Sequence, residues 1–366
     1  MIGIRADSHG TWLSGYPTEV KMKIIGVCVA KDEWPLLAVA VSHALINSCD
    51  EVIVVDNGSS DASLQGLKFL NATTFQGRIH ALSYLGKFNQ AAITGAAIQF
   101  ARQLGAHFVV PFDADEFLVM ASSISLKKYL EGKTKGLDGQ SQIDSFQVFH
   151  VNYVVPRSFD IASIESYQQI TARAIANQKN VYLQRSELAQ LISNGSVGFF
   201  DNHFWNFKQI PRADRLIFLT KGNHQTTTKT RTFKVPAKDI YLAHLPFSSR
   251  KKLNKLVVET SFASHSSIMQ NVASTSSLDQ IWNRVTLDDS SRNSEIDFYH
   301  DVVLQKTFEE VLSKIGPFWE LIQGFKKSSV TNELSGCSRS IDLFFKTLVE
   351  MVETYLGKDF SDQVQI

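Results

Sequence analysis

His107–Glu116 reads HFVVPFDADE, a short apolar run that stops on three carboxylates within four residues. A Val- and Phe-rich run of this length, bounded by charge, is what a β-strand buried on both faces looks like. The same pattern precedes it along the chain, with helical periodicity between the runs. Lys23–Ala30 (KIIGVCVA) is followed by Trp34, Leu37, Val41 and Leu45 at spacings of three and four, one face of a helix. Glu51–Val55 (EVIVV) stops at Asp56-Asn57-Gly58, a turn signal, and Ser60 to Leu70 suits a second helix. Arg78–Tyr84 reads as a third strand. Ala92, Ile93, Ala96, Ala97 and Phe100 mark a third helix, with Gly105 placed to stop it. This alternation implies parallel pairing through right-handed crossovers, hence a doubly wound α/β sheet. Ligands of such sheets gather beyond the carboxyl ends of the strands. The acidic clusters at Asp56 and at Asp113/Asp115 both fall there.

Beyond about residue 144 the pattern changes. Asp144–Val155 and Asp239–Leu245 read as strands with polar alternation, and Ser248 to about Ala263 as a helix opened by serines. Nine serines within the 31 residues Ser264–Ser294 suggest a loose connection, followed by helical segments over roughly Glu295–Ile315 and Ser340–Leu356. The expected division is an N-terminal extension (1–22), a catalytic-type α/β domain (23–265, with halves 23–120 and 121–265), and a linker with a helical C-terminal region (266–366). The helical spacings of Phe308, Leu312, Phe318, Phe344, Phe345, Leu348 and Met351 fit packing against that domain or against a second subunit.

Composition excludes several classes of function. The 366 residues are a soft prior for about two domains. Lys plus Arg is 37 and Asp plus Glu 36, a formal net charge of +1, which gives no electrostatic reason to expect a nucleic-acid partner. Hydrophobic content of 44% and charged content of 20% exclude a mostly disordered chain. The longest apolar stretch near the N-terminus, Ile24 to Ala30, falls far short of the roughly 20 residues of a spanning helix. Residues 1–22 hold no signal-peptide core. Cys28, Cys49 and Cys337 are too few and too far apart for a disulfide framework or a Cys-based zinc site. The expectation is a cytoplasmic protein with no transmembrane segment.

Asp113-Ala114-Asp115-Glu116 crowds like charges that are costly unless a cation or hydrogen-bond donors offset them. Hard divalent ions such as Mg²⁺ or Mn²⁺ take such oxygen ligands together with substrate phosphates. Asp56 is placed to accept hydrogen bonds from a nucleobase or a ribose, while Ser59, Ser60 and Asp61 suit capping of the next helix. Lys31-Asp32-Glu33 completes a row of polar strand ends.

Taken together, Lys31-Asp32-Glu33, Asp56-Asn57-x-Ser-x-Asp61, Asn89 opening a small-residue helix with Gly95, and Asp113-x-Asp115-Glu116-Phe117-Leu118 resemble family-2 glycosyltransferases of the GT-A fold. The soluble subgroup with an Asp-x-Asp-Glu-Phe-Leu block is the most similar, and His244-Leu245-Pro246-Phe247-Ser248-Ser249 with Lys252 and Lys255 resembles its later His block. The resemblance spans roughly residues 22–260 and implies a metal-dependent, non-processive transfer of a sugar from a nucleotide-sugar, UDP-linked, to a hydroxyl acceptor with inversion. It implies that Asp56 recognises the base with Glu33 nearby, and that Asp113 touches the ribose or donor sugar. It further implies that Asp115 ligates the Mn²⁺ or Mg²⁺ ion, with His244 as a further ligand or diphosphate contact. His224, in Lys221-Gly222-Asn223-His224, competes for that role. The Gln-x-x-Arg-Trp mark of processive synthases is missing, and Leu245 stands where the subgroup has an aromatic residue.

An inverting transfer also needs a base for the acceptor hydroxyl. Asp201, beside Asn202-His203-Phe204-Trp205, and Asp160, in a Pro/Arg/Ser loop, are the candidates taken from several later acids. Lys208, with Arg212 and Arg215, offers charge-assisted donors to phosphate. A nucleotidyltransferase would use similar carboxylates but wants a Gly-rich phosphate loop near the first strand. A nucleotide-binding protein without turnover would keep Asp56 and need no base. A methyltransferase would want glycines where Lys31-Asp32-Glu33 stands.

Overall fold

The computed structural model describes residues 22–135, 143–153, 160, 174–175, 207–215, 217–227, 229–245, 248–249, 278–285, 298–299, 302–324 and 336–363. Strands β1 (Ile24–Ala30), β2 (Glu51–Asp56), β3 (Ile79–Ser83) and β4 (Phe108–Phe112) form a wholly parallel sheet in the order β3-β2-β1-β4. Helices α1 (Leu36–Asn47), α2 (Ser63–Thr73) and α3 (Gln90–Gln103) are the crossovers. Strands β1 and β4 and the middle of β2 are apolar because both faces are covered, while the edge strand β3 is half-exposed. Ile24, Cys28 and Ala30 of β1 join a core with α1 and α2, while Ile25 and Val27 point the other way into a core with α3. The asparagine at the start of α3 works as its cap: Asn89 Oδ1 accepts from Ala92 N at 3.3 Å. Gly105, at φ 81°, takes the left-handed conformation that ends the helix.

A second sheet extends the first. Its strands β5 (Glu116–Met120), β6 (Ser145–Asn152), β8 (Phe207–Pro211) and β10 (Ile240–His244) lie in the order β5-β10-β6-β8, and β9 (Thr232–Lys234) pairs with β6. Pairing is antiparallel for β10–β5 and β6–β8 and parallel for β10–β6 and β6–β9. The two sheets meet where Arg212, just past β8, bridges Phe108 of β4, and where Ala213 N donates to the His107 carbonyl at 2.9 Å. A short pair, β7 (Ala174–Ile175) with β11 (Phe298–Tyr299), forms a separate two-stranded sheet. The fold is therefore α/β with a mostly parallel sheet, as the strand–helix alternation implied, carrying further helices in its C-terminal part: α5 (Leu278–Val285), α6 (Val302–Ile315), α7 (Trp319–Gly324) and α8 (Gly336–Gln363), with α4 (Leu126–Lys135) following β5.

Three expectations need correcting. The spacing of Trp34, Leu37, Val41 and Leu45 describes a one-faced helix, yet all ten residues from Leu36 to Leu45 of α1 are buried. Helix α6 covers the outer face, with Phe308 and the Thr307 hydroxyl against His43. Ser59 and Ser60 do not cap α2, which starts later, at Ser63. Its first turn takes Asp61 Oδ1, which accepts from Ser63 N at 2.9 Å. Phe298–Tyr299, read as helical, is the strand β11. The helix expected from Ser248 to Ala263 lies almost wholly outside the described residues. The helices α6, α7 and α8 pack on both faces of the parallel sheet's layers: α6 and α7 on the α1 side, α8 on the α3 side. Among the described residues, no helix is long and apolar enough to cross a membrane.

Candidate active site

The carboxyl ends of β1, β2 and β4 carry the polar residues that the sequence placed there, and hydrogen bonds weld the first two loops into one rim. Asp32, in the left-handed region at φ 57°, accepts at Oδ1 from the Ser60 amide, from the Ser60 hydroxyl at 2.8 Å and from Asp61 N at 3.2 Å. Its own amide donates to Ser59 Oγ at 2.9 Å, and Trp34 N donates to Asp61 Oδ2 at 2.9 Å. Glu33 sits half-buried inside this tie. Asp56 closes β2 with 4% exposure and accepts from Ser59 N at 3.3 Å. Burial raises its carboxyl above the ordinary range, the Ser59 hydrogen bonds offset part of that, and the nearby Asp61 and Asp32 add to it. Asn57 turns away, its Nδ2 donating to the Tyr84 carbonyl at 2.8 Å, so the β3–α3 loop is fastened to the same rim.

After β4 the acidic residues take separate partners. Asp113 Oδ1 accepts from Gln90 Nε2 at 3.3 Å and Oδ2 lies 3.2 Å from Lys208 Nζ. Gln90, at the start of α3, also accepts from Gly222 N at 3.1 Å, so α3, the Asp113 turn and the Lys221–Asn223 turn are linked through one amide. Glu116, 2% exposed, accepts at Oε1 from Lys208 Nζ at 2.9 Å and lies 3.1 Å from His150 Nε2. Its Oε2 accepts from Asp113 N at 2.9 Å. Burial would raise the Glu116 carboxyl, but Lys208 and His150 hold it well below the usual range. Burial pushes Asp113 up to about 6, against the attraction of Lys208. For Lys208 burial works to lower the ammonium's pKa, and its two carboxylates more than reverse this, keeping it charged.

Asp115, 4% exposed, faces His244 across 3.3 Å between Oδ2 and Nε2. The pairing of β10 with β5 sets this contact: His244 stands opposite Glu116, and Leu245 N donates to the Asp115 carbonyl at 2.9 Å. His150, one strand over, stacks on His244 with ring centroids 4.4 Å apart. Burial lowers the pKa of His244, against the pull of Asp115, which favours the neutral ring that can bind a metal. His224 lies 6.0 Å from His150, centroid to centroid, and is pushed down to about 4 by burial and by Lys208. It donates from Nδ1 to the Phe207 carbonyl at 2.7 Å, which leaves the ring lone pair on Nε2.

Two neighbouring sets of donor atoms come into question for a divalent cation. The ligand atoms of Glu116, His150 and His244 lie within 4.8 Å of one another. Both oxygens of Glu116 are already engaged, one of them by the ammonium of Lys208, which disfavours a cation there. The Asp115–His244 pair fits better, since cis ligands at metal-bonding distance stand about 3 Å apart and the observed separation is 3.3 Å.

The structure thus brings Asp113, Asp115, Lys208, His224 and His244 into one cluster, with Glu33 and Asp56 on the neighbouring strand ends. Lys208 sits in the cluster with its charge turned toward carboxylates. Asp160 is exposed, and Asp201 with its aromatic neighbours lies outside the described residues, as do Lys252 and Lys255. His150 and Gln90 were missed from sequence. Gln90 directly follows the cap residue Asn89, a signal for its position; nothing local marked His150.

No family model and no curated protein matches the sequence. Among solved structures the chain is similar to TarS 1-349 of S. aureus, with 15% identity and a TM-score of 0.35 over 92% of each chain. It is also similar to the mannosyltransferase PcManGT from Pyrobaculum calidifontis in complex with GDP-Man and Mn²⁺, with 12% identity and a TM-score of 0.34 over 94% of this chain and 89% of that one. A third likeness is to mannose-1-phosphate geranyltransferase from Thermus thermophilus, with 11% identity and a TM-score of 0.24 over 72% and 68% of the two chains. At identities and TM-scores this low the likenesses carry no argument about activity.

Proposed function

We propose that the chain is a GT-A-like, metal-dependent glycosyltransferase that transfers a sugar from a nucleotide-sugar, UDP-linked by preference, to a hydroxyl acceptor with inversion. The observation that supports this most is the arrangement of Asp56 at the carboxyl end of β2 and of Asp113 and Asp115 beyond that of β4, the two strands that flank β1 in the parallel sheet, with His244 brought to 3.3 Å from Asp115 by a strand of the second sheet. In this reading the buried Asp56 carboxylate accepts from the base, with Glu33 beside it, and Asp113 faces the ribose or donor sugar. Asp115 and His244, with His224 as the competing ligand, hold Mn²⁺ or Mg²⁺. The ion's chemistry when bound is that of a Lewis acid on a leaving diphosphate. Asp160 and Asp201 stand as the proposed acceptor bases.

Calorimetric titration of UDP, and of GDP in parallel, with and without Mn²⁺, tests the reading on wild type and Asp115→Ala. The expected outcome is Mn²⁺-dependent UDP binding that is lost in the variant. Tighter GDP binding would keep the site and change the donor. Absence of metal-dependent nucleotide binding in the wild type would overturn the proposal. With a turning-over donor in hand, the base is whichever of Asp160→Asn and Asp201→Asn lowers turnover while nucleotide affinity stays unchanged.

A further inference from the structure

We propose that Lys208 is a built-in cation that fills one of two cation positions in the carboxylate cluster, so that the chain binds a single divalent ion at Asp115 and His244. The inference rests on the metal-dependent reading above and sets its stoichiometry. Two facing carboxylates are what a hard divalent ion bridges. Here the space between Asp113 and Glu116 holds Lys208 Nζ, 3.2 Å from one and 2.9 Å from the other, with the lysine side chain 3% exposed. Strand β8 delivers it there by pairing with β6, Lys208 standing opposite Val148. The remaining oxygens of the pair are also engaged: Asp113 Oδ1 by Gln90, and Glu116 Oε2 by Asp113 N.

A tethered ammonium cannot leave with product, so this part of the site is organised before any metal or nucleotide arrives.

The test counts Mn²⁺ ions bound per full-length chain, by the loss of the free-ion paramagnetic resonance signal during titration. Wild type is expected to bind one, Asp115→Ala none, and Lys208→Met two. Two ions in the wild type, or an unchanged single ion in Lys208→Met, would overturn the proposal. No ion in the wild type with one in Lys208→Met would sustain the built-in cation while the metal-dependent function failed. No ion in either would overturn both. Should Lys208→Met not fold, wild type and Lys208→Arg carry the test at saturating Mn²⁺: one ion in each supports the proposal, and two in either sinks it.

Discussion

His43 lies in the middle of α1 with 1% exposure, its Nε2 3.1 Å from the Thr307 hydroxyl and its ring edge-on to Phe117. Burial lowers its pKa from 6.5 to about 3, so the folded chain refuses a proton that the unfolded chain accepts. The sign follows: stability is fully present above the unfolded pKa and is lost as pH falls below it, at about 1.4 kcal/mol per unit. Between pH 7 and pH 5 the loss from this residue is about 2 kcal/mol. His43→Leu removes it without orphaning Thr307, whose hydroxyl donates to the Leu304 carbonyl at 2.7 Å. Urea unfolding at both pH values should therefore show the wild type losing about 2 kcal/mol more than the variant. Asp113, whose raised carboxyl acts with the opposite sign over part of this range, is common to both proteins and cancels in the difference. Equal losses in the two proteins would mean that His43 is protonated in the fold.

Among the elements, α3 and α8 meet at a glycine, Gly95. A Cβ on Gly95 would stand 2.9 Å from Val352 Cγ1 and 3.0 Å from Phe218 Cδ1, so the helices approach over a bare backbone. Gly95→Leu improves helix propensity by up to about 1 kcal/mol but overpacks the contact, which costs about 1–3 kcal/mol and more at a site this tight. The clash wins, and the urea midpoint should fall with its slope unchanged; an unmoved or raised midpoint would show that α8 is not seated on Gly95. That glycine could be read as part of a motif, but not as a seat for a helix some 250 residues later. The same limit governs the rest of the molecule. Parallel strands buried on both faces leave continuous apolar runs that stop at turns, so the first sheet and the strand-end acids Asp56, Asp113 and Asp115 were legible. The partners of those acids were not. Lys208 reaches Asp113 across 95 residues and His150 reaches Glu116 across 34, through strand registers in a mixed sheet whose polar alternation fixes faces but not neighbours. Full burial of α1 was hidden for the same reason, because its cover, α6, is encoded far downstream.

At the scale of the whole molecule, the C-terminal helices complete the cores that the α/β part begins. Phe308 of α6 is fully buried against Phe117, with ring centroids 4.8 Å apart, and belongs to the core on the α1 side. Phe345 of α8 is equally buried, 6.5 Å from the Tyr84 ring, in the core on the α3 side. Polar contacts follow the same seams: Ser83 N donates to Asp342 Oδ1 at 3.0 Å, and Trp34 Nε1 to the Ile322 carbonyl at 2.6 Å. Trp34 and Ser83 flank the candidate site's loops, so the helices also buttress the rim that carries Asp32, Glu33 and Asp56. A helical appendage that folded by itself would unfold in its own transition and leave these loops intact. The packing instead requires one cooperative unit. Phe308→Ala and Phe345→Ala should each lower its stability by about 3–5 kcal/mol. Because the two rings lie in different cores, their effects should add and take the double variant close to the limit set by a total of about 5–15 kcal/mol. Far-UV and near-UV dichroism followed through urea should trace one coincident transition in every variant. A C-terminal transition that separates from the rest, with the α/β part unmoved by Phe345→Ala, would refute the single unit and detach the rim of the site from the helices that now hold it.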